Sequence, residues 1–180
     1  MKIKLLALAL VGLFTINGAM AQEQGDMRAS FGIALHPAAA IDTNNGEFKL
    51  GIGLTPAFEY VFADAMSANA SYDYYFKTEE GGGSYAYSSF NIDYRYYFLT
   101  DDIQVYGLAG LGFVKVDLGS AGSGSDTGLN IGAGMNYPLS DMLGVNAQVK
   151  YNTKKLGNPF TGEEKANIAF NLGLVYMFGN

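Results

Sequence analysis

The amino-acid sequence predicts an all-β protein, an eight-stranded antiparallel up-and-down transmembrane β-barrel. Three features lead to this prediction: apolar and polar residues alternate over long segments, these segments number eight, and the connections between them are short and long in turn. Alternation with period two is typical of a strand with one apolar face. After residue 21 the chain has no apolar run near the about 20 residues that a membrane-spanning helix needs.

The segment from Phe48 to Phe62 shows the alternation most clearly. Its even positions read Phe, Leu, Ile, Leu, Pro, Phe, Tyr, Phe, and its odd positions read Lys, Gly, Gly, Thr, Ala, Glu, Val. Pro56 has no backbone N–H for a strand ladder, so we expect a β-bulge there. The same pattern predicts strands at residues 27–36, 66–77, 86–98, 103–117, 128–137, 143–152 and 166–178.

The segment 103–117 is apolar on both faces, so its register has to be inferred from its few polar residues. We place Lys115 and Asp117 on the inner face. This register puts four apolar side chains on the outer face, namely Tyr106, Leu108, Val114 and Val116.

The connections between the predicted strands alternate in length. Residues 63–65, 99–102 and 138–141 form short turns. Longer polar connections lie at residues 37–46, 78–85, 118–127 and 153–165. Short turns at one end and longer loops at the other are typical of transmembrane β-barrels.

A soluble β-sandwich also alternates, and two features distinguish it from a barrel in lipid. The apolar face of nearly every strand continues long enough to match an outward band roughly 25 Å tall. Aromatic residues also gather at both strand ends, as they do at membrane interfaces. Those near the short turns are Phe58, Tyr60, Phe62, Tyr94, Tyr96, Phe98, Tyr106, Tyr137, Tyr176 and Phe178, and those toward the long connections are Tyr72, Tyr74, Phe76, Phe90 and Tyr151.

Residues 1–21 are predicted to be a cleaved signal peptide, and residues 22–180 the barrel domain. Two lysines precede an apolar run from Leu5 to Ile16, and Ala19 and Ala21 occupy the −3 and −1 positions of the cleavage site. The run is too short for an uncleaved membrane anchor. We therefore expect the protein to leave the cytoplasm.

The last strand carries the most specific motif. Asn171, Gly173, Tyr176 and Phe178 fit the pattern polar-x-Gly-x-x-aromatic-x-aromatic, with two further residues after the final aromatic. This resembles the C-terminal assembly signal of outer-membrane barrels, many of which end at that aromatic. Together with the signal peptide and the eight strands, this motif means that the chain resembles the outer-membrane β-barrel domain family. Within that family it is similar to the small barrels of the OmpX, OmpW and OmpA-N-terminal type.

The resemblance implies a location in the bacterial outer membrane. It implies as partners the outer-membrane lipid and, during biogenesis, periplasmic chaperones and the barrel-assembly machinery. It implies no particular activity, because the family is functionally mixed. We expect a monomer.

Composition excludes several other classes of function. The net charge of −6 becomes −8 once Lys2 and Lys4 leave with the leader, and such an acidic domain is a poor match to nucleic acid. The chain has no cysteine, hence no disulfide or thiolate metal site. No metal-ligand cluster, phosphate loop or nucleotide motif is present, so we expect no cofactor and no metal.

The inward faces predict a polar core in the lumen. Its predicted members are Arg28, Glu59, Asp73, Asp93, Arg95, Gln148, Lys150 and Asn171. Counted from the short turns, Glu59 matches Arg95 in depth and Asp73 matches Lys150, which favours salt bridges because buried charges must be paired. Eight strands enclose a space that side chains can fill. We therefore expect a structural or surface-interaction role.

Two alternatives remain open from the sequence. A narrow channel or a carrier of small hydrophobic ligands would use the lumen as a path. A lipid-modifying enzyme would use His36, the only histidine, with a serine such as Ser84 or Ser123, but Pro37 and Ala38 follow His36 and nothing positions a serine there. In the last long connection, Lys154, Lys155 and Lys165 lie beside Glu163 and Glu164, a mixture that we interpret as solvated surface.

Overall fold

The computed structural model describes residues 24–42, 47–80, 83–100, 102–119, 122–157 and 164–178, and over these residues it contains nine strands. They are β1 (Met27–Asp42), β2 (Glu47–Ala63), β3 (Met66–Tyr75), β4 (Thr78–Glu80), β5 (Gly83–Leu99), β6 (Gln104–Asp117), β7 (Ser123–Pro138), β8 (Leu143–Gly157) and β9 (Glu164–Phe178). No helix in the described ranges is long and apolar enough to cross a membrane.

All neighbouring strands pair antiparallel, and pairing of β1 with β9 closes the sheet. Strands β3 and β4 both pair with β5, so together they form one barrel strand with a short break. The predicted fold, a closed eight-stranded up-and-down β-barrel, is confirmed. We call the end with the β2–β3, β5–β6 and β7–β8 connections the turn end, and the opposite end the hairpin end.

The long polar connections are shorter than the sequence predicts. Strand β1 continues to Asp42, and β7 begins at Ser123, where it pairs with Asp117 of β6. Strand β8 continues to Gly157, which pairs with Glu164 of β9. The polar residues in these segments keep the strand ladder, because an antiparallel hairpin pairs its backbone whatever its side chains are. The predicted loops are therefore mostly extended hairpins.

The predicted register of residues 103–117 is wrong. Tyr106, Leu108 and Val114 are buried in the lumen, whereas Lys115 is exposed on the outside. Val116 belongs to the inward set and is only half-buried. The segment misleads because Tyr106 is apolar in bulk yet donates its hydroxyl hydrogen to Gln148 at 3.0 Å inside the barrel.

Glycines that face the lumen explain why the inner face of β6 looks apolar in the sequence. A Cβ at Gly110 would lie 2.5 Å from Oδ1 of Asp93, and one at Gly112 would lie 2.4 Å from Nδ2 of Asn152. These glycines leave room for long polar side chains from neighbouring strands, so the inner face of β6 contains few polar residues of its own.

Pro56 does not form the expected bulge. It pairs with Phe31 of β1, and the β2–β3 register is the same on both sides of it, from Leu54↔Tyr74 to Ala57↔Ser71. The proline ring is exposed on the outer face. The missing N–H therefore affects one ladder position without shifting the strand.

The outer face is an apolar band. Phe31, Ile131 and Leu172 are each more than half exposed, at 58%, 58% and 59%. Exposed aromatics border the band at both ends, with two exceptions among the predicted ones: Tyr106, already described, and Tyr137, which is half-buried. An apolar belt of this size is typical of a surface in lipid, and the closed ladder pairs backbone groups that hydrocarbon could not solvate.

Candidate functional site

The lumen holds the candidate site, and all eight predicted core residues are buried in it. Its buried charged groups in the described chain are three cations and three acids: Arg28, Arg95, Lys150, Glu59, Asp73 and Asp93. The charges therefore balance. The side chains form three layers between the turn end and the hairpin end.

The layer nearest the turn end is organised by Arg28. Its guanidinium donates to Oε1 of Gln104 at 2.9 Å and to the hydroxyl of Tyr97 at 3.3 Å. Asn136 donates to the same two groups, at 3.3 Å each. These side chains fill the lumen near the turn end.

The middle layer is organised by Arg95. It donates to Oε2 of Glu59 at 2.7 Å and to Oε1 of Gln148 at 2.9 Å. Glu59 also accepts hydrogen bonds from Ser67 at 2.6 Å and Tyr97 at 2.5 Å. The Arg95 guanidinium carbon lies 4.5 Å from the ring centroid of Tyr106.

The upper layer is organised by Asp73. Its carboxylate pairs with Lys150 at 3.1 Å and accepts hydrogen bonds from Thr55 at 2.7 Å and Asn171 at 3.2 Å. Asp93 accepts from Asn130 at 2.8 Å and lies 4.0 Å from Lys150. Both pairings suggested by depth, Glu59 with Arg95 and Asp73 with Lys150, are therefore present.

An aromatic cap, made of His36, Tyr75, Tyr85, Tyr87 and Leu156, lies above these layers at the hairpin end. All five side chains are buried. Nε2 of His36 lies 2.8 Å from Oδ1 of Asn167, and Nδ1 accepts the Ala38 N–H at 3.0 Å, an arrangement that puts the proton on Nε2.

The cap places His36 in a closed, packed environment. Ser123 lies on the exposed β6–β7 hairpin, and the side chain of Ser84 is outside the described residues. Among the described residues, the hydrogen bonds of the His36 ring go to Asn167 and to the Ala38 N–H, and not to a serine.

Sequence reasoning missed the cap and much of the amide network. The missed network residues include Gln104, Asn130, Asn136, Asn152 and Asn167, all buried. Their signal was present, since each asparagine occupies an inward position of its strand. The cap had the same positional signal, since His36, Tyr75 and Tyr87 occupy inward positions of their strands, but tyrosine fits both a lipid face and a lumen, so its residue type did not set it apart.

The C-terminal motif divides between the two faces of β9. Asn171 and Gly173 point inward, and Tyr176 and Phe178 are exposed outward. A Cβ at Gly173 would lie 2.7 Å from Cα of Gly32, so the β1–β9 closure needs a glycine there. The predicted cleavage residues Ala19 and Ala21 lie outside the described residues.

The ladders around the hairpin end stop at three places. The β2–β3 ladder ends at Gly53↔Tyr75, the β7–β8 ladder at Asn130↔Asn152 and the β1–β9 ladder at Leu35↔Phe170. The β1–β2, β6–β7 and β8–β9 ladders continue beyond these points. The wall therefore divides into separate groups of strands toward its hairpin end.

Charged side chains at the hairpin end pair with one another. Lys154 forms a salt bridge with Asp126 between β8 and β7, and Lys155 pairs with Glu164 at 3.1 Å. The hydrogen bond from Lys154 lowers the pKa of the Asp126 carboxyl. Both pairs are about half exposed or more, so each stabilises the fold only weakly.

A lipid-facing apolar band around a polar, side-chain-filled lumen defines a small integral membrane β-barrel. A comparison with protein families matches residues 6–178 to the outer membrane protein beta-barrel domain family, and the chain belongs to this family. Outer-membrane location is thus a property of its family. No curated protein matches the sequence of this chain.

Solved structures show the same fold. Ail, the attachment invasion locus protein of Yersinia pestis, solved with the heparin analogue sucrose octasulfate, has a TM-score of 0.62 at 21% identity, covering 86% of this chain and 99% of that one. OprG from Pseudomonas aeruginosa has a TM-score of 0.68 at 17% identity, covering 89% and 99%. Neisserial surface protein A has a TM-score of 0.56 at 16% identity, covering 89% and 98%.

Proposed function

We propose that this chain is a structural and surface-interaction protein of the outer membrane with a lumen closed to solutes. The observation that carries the proposal is that hydrogen-bonded side-chain layers and the aromatic cap fill the lumen, from Arg28 near the turn end to His36 near the hairpin end. A solute path would require several of these buried hydrogen bonds to break together.

The experiment is single-channel recording on the refolded protein in planar bilayers. The wild type is expected to be silent. A variant that combines Arg28→Ala, Arg95→Ala and Tyr87→Ala truncates one side chain in the turn-end layer, one in the middle layer and one in the cap, and it is expected to produce openings, which shows that the assay detects an opened lumen. Tyr96→Ala, on the lipid face of the strand that carries Arg95, is the control. Discrete wild-type openings would overturn the closed-lumen proposal in favour of a channel.

The surface role is supported by the β6–β7 hairpin. Residues 123–127 of β7 are exposed and pair with β6, and they lie beyond the last β7–β8 pair at Asn130↔Asn152. A strand edge of this kind can add an extended segment of a partner protein. The lysines at this end are less suited to a polyanion, because Lys154 and Lys155 already have acidic partners.

A shortened hairpin tests the surface role. Replacing residues 114–126 with Asn-Gly keeps Phe113 opposite Thr127 in a tight turn and removes most of the exposed edge. Cells displaying the wild type are expected to attach to a protein-coated surface more than cells without it, and the shortened variant is expected to lose this difference. Equal attachment of cells with and without the wild type would overturn the role.

The proposal also covers how the protein is exported and assembled. Cleavage after Ala21 would release the barrel into the periplasm, where Tyr176 and Phe178 would present the assembly signal to chaperones and to the assembly machinery. The expected partner in the membrane is lipid, and the expected state is a monomer. The mass of the protein from purified outer membranes tests the cleavage: a mature chain beginning at Gln22 is expected.

A second candidate function, carriage of a small apolar molecule, is supported by one observation. The β1–β9 ladder ends at Leu35↔Phe170, whose side chains face the outer, apolar surface, and the aromatic cap with its neighbour Ala34 lies inside at that end. An apolar fluorescent probe that brightens with the wild type, but not with a folded Leu156→Glu variant, would support this candidate. Equal fluorescence would remove it.

A further inference from the structure

A small cavity lies in the lumen between the middle layer and the upper layer. Its volume is about 10 Å³. It is lined by residues of β1, β2, β3, β5, β8 and β9. Those that matter here are Ser71, Arg95 and Asn171.

Each of these three residues has a buried polar atom that no group in the described chain satisfies. They are Oγ of Ser71, Nε of Arg95 and Oδ1 of Asn171. Buried polar groups without a partner are uncommon in folded proteins, because each costs the hydrogen bonds it made in water. Three of them among the residues lining one cavity indicate a common ligand.

The chemistry of the three atoms identifies that ligand. Nε of Arg95 can only donate, and Ser71 can donate or accept. Oδ1 of Asn171 can only accept, and its orientation is fixed because Nδ2 of the same amide donates to Asp73 at 3.2 Å. Reversing the amide would place its oxygen against the carboxylate. The ligand must therefore both accept from Arg95 and donate to Asn171.

We propose that the cavity binds one water molecule, which accepts from Arg95, donates to Asn171 and hydrogen-bonds to Ser71. An anion would leave the Asn171 oxygen without a donor, and a cation would meet the Arg95 guanidinium. The volume matches one water, which needs about 10–15 Å³ and two to four polar partners. The site joins the Arg95 layer to the Asp73 layer through a single bridge.

The layers on both sides isolate this water. Arg28, Tyr97 and Gln104 close the lumen toward the turn end, and Tyr75, Tyr87 and His36 close it toward the hairpin end. Other buried atoms of the lumen also lack a partner in the described chain, among them Nε of Arg28 and Oδ1 of Asn69. The proposal concerns this cavity alone, and the packed side chains on both sides are expected to make the exchange of its water with bulk solvent slow.

High-resolution crystallography of the folded barrel tests the site. The wild type is expected to show one density peak within hydrogen-bonding distance of Ser71, Arg95 and Asn171. Ser71→Val, which removes the hydroxyl and fills the space, is expected to lose the peak. Ala70→Val, on the outer face of the same strand, is expected to keep it.

A second measurement needs no variant. In the wild type in micelles, the side-chain amide of Asn171 is expected to show magnetisation transfer from a long-lived bound water. An empty cavity would overturn the proposal. So would an anomalous peak at the cavity after a bromide soak, which would identify an anion site.

Discussion

Nζ of Lys150 lies 3.1 Å from Oδ2 of Asp73, and this ion pair joins β8 to β3 across the lumen. In the closed sheet these strands stand opposite each other, so no backbone hydrogen bond can connect them directly. The pair therefore fixes the cross-section of the barrel, which the ladder between neighbouring strands does not do alone. Asp93 lies 4.0 Å from the same ammonium and also depends on it.

Removing Lys150 should strongly destabilise the barrel. Lys150→Met leaves Asp73 and Asp93 buried without their cation, and breaking a buried pair from one side costs about 3–5 kcal/mol. Urea unfolding in lipid vesicles measures the loss. Lys155→Met is the matched control, because the exposed pair with Glu164 is worth about 0–1 kcal/mol. Similar losses for the two variants would contradict this account.

Single cysteines test the corrected register of β6. Leu108 is 4% exposed and faces the lumen, whereas its neighbour Ala109 is exposed on the outer face. The natural chain has no cysteine, so each substitution creates a single thiol. A reagent confined to the bilayer should label Ala109→Cys and leave Leu108→Cys unlabelled. Preferential labelling at position 108 would restore the register that the sequence favours.

A charge on the lipid face should cost more than the same charge beyond the membrane. Ala133 lies on the outer face of β7 within the apolar band, and Thr127 lies on the same face beyond it. Ala133→Arg should reduce the free energy of unfolding by about 2–4 kcal/mol, because a guanidinium in hydrocarbon loses its hydration. Thr127→Arg should change it little. If the variants fold equally well in vesicles, the position of the band is wrong.

The barrel closure should be sensitive to a single methyl group. In Gly173→Ala the new Cβ would lie 2.7 Å from Cα of Gly32, so β1 and β9 must separate. The variant should melt at a lower temperature, and less of it should run at the folded position in cold-detergent electrophoresis, where a closed barrel migrates differently before and after boiling. Gly157→Ala is the control, since nothing lies within 4 Å of its Cβ. Unchanged melting of Gly173→Ala would show that the strands adjust freely.

The wall of the barrel could be predicted from sequence because period-two alternation depends only on which face a residue occupies. Glu59 and Arg95 could be paired from depth alone, since their long side chains tolerate errors in stagger. The network of Tyr97, Gln104 and Asn136 could not, because it depends on the shear between strands, which no single strand encodes. The face occupied by Tyr106 was predicted wrongly for a chemical reason, because its ring suits lipid and its hydroxyl suits the lumen.

The ladder ends at Gly53↔Tyr75, Asn130↔Asn152 and Leu35↔Phe170 make the surface of this protein modular. Each group of hairpins is rooted in the barrel but shares no backbone ladder with the next group beyond those points. A graft can therefore replace one group while the others keep their ladders, so new sequences can be inserted at the hairpin end without redesign of the part that anchors them.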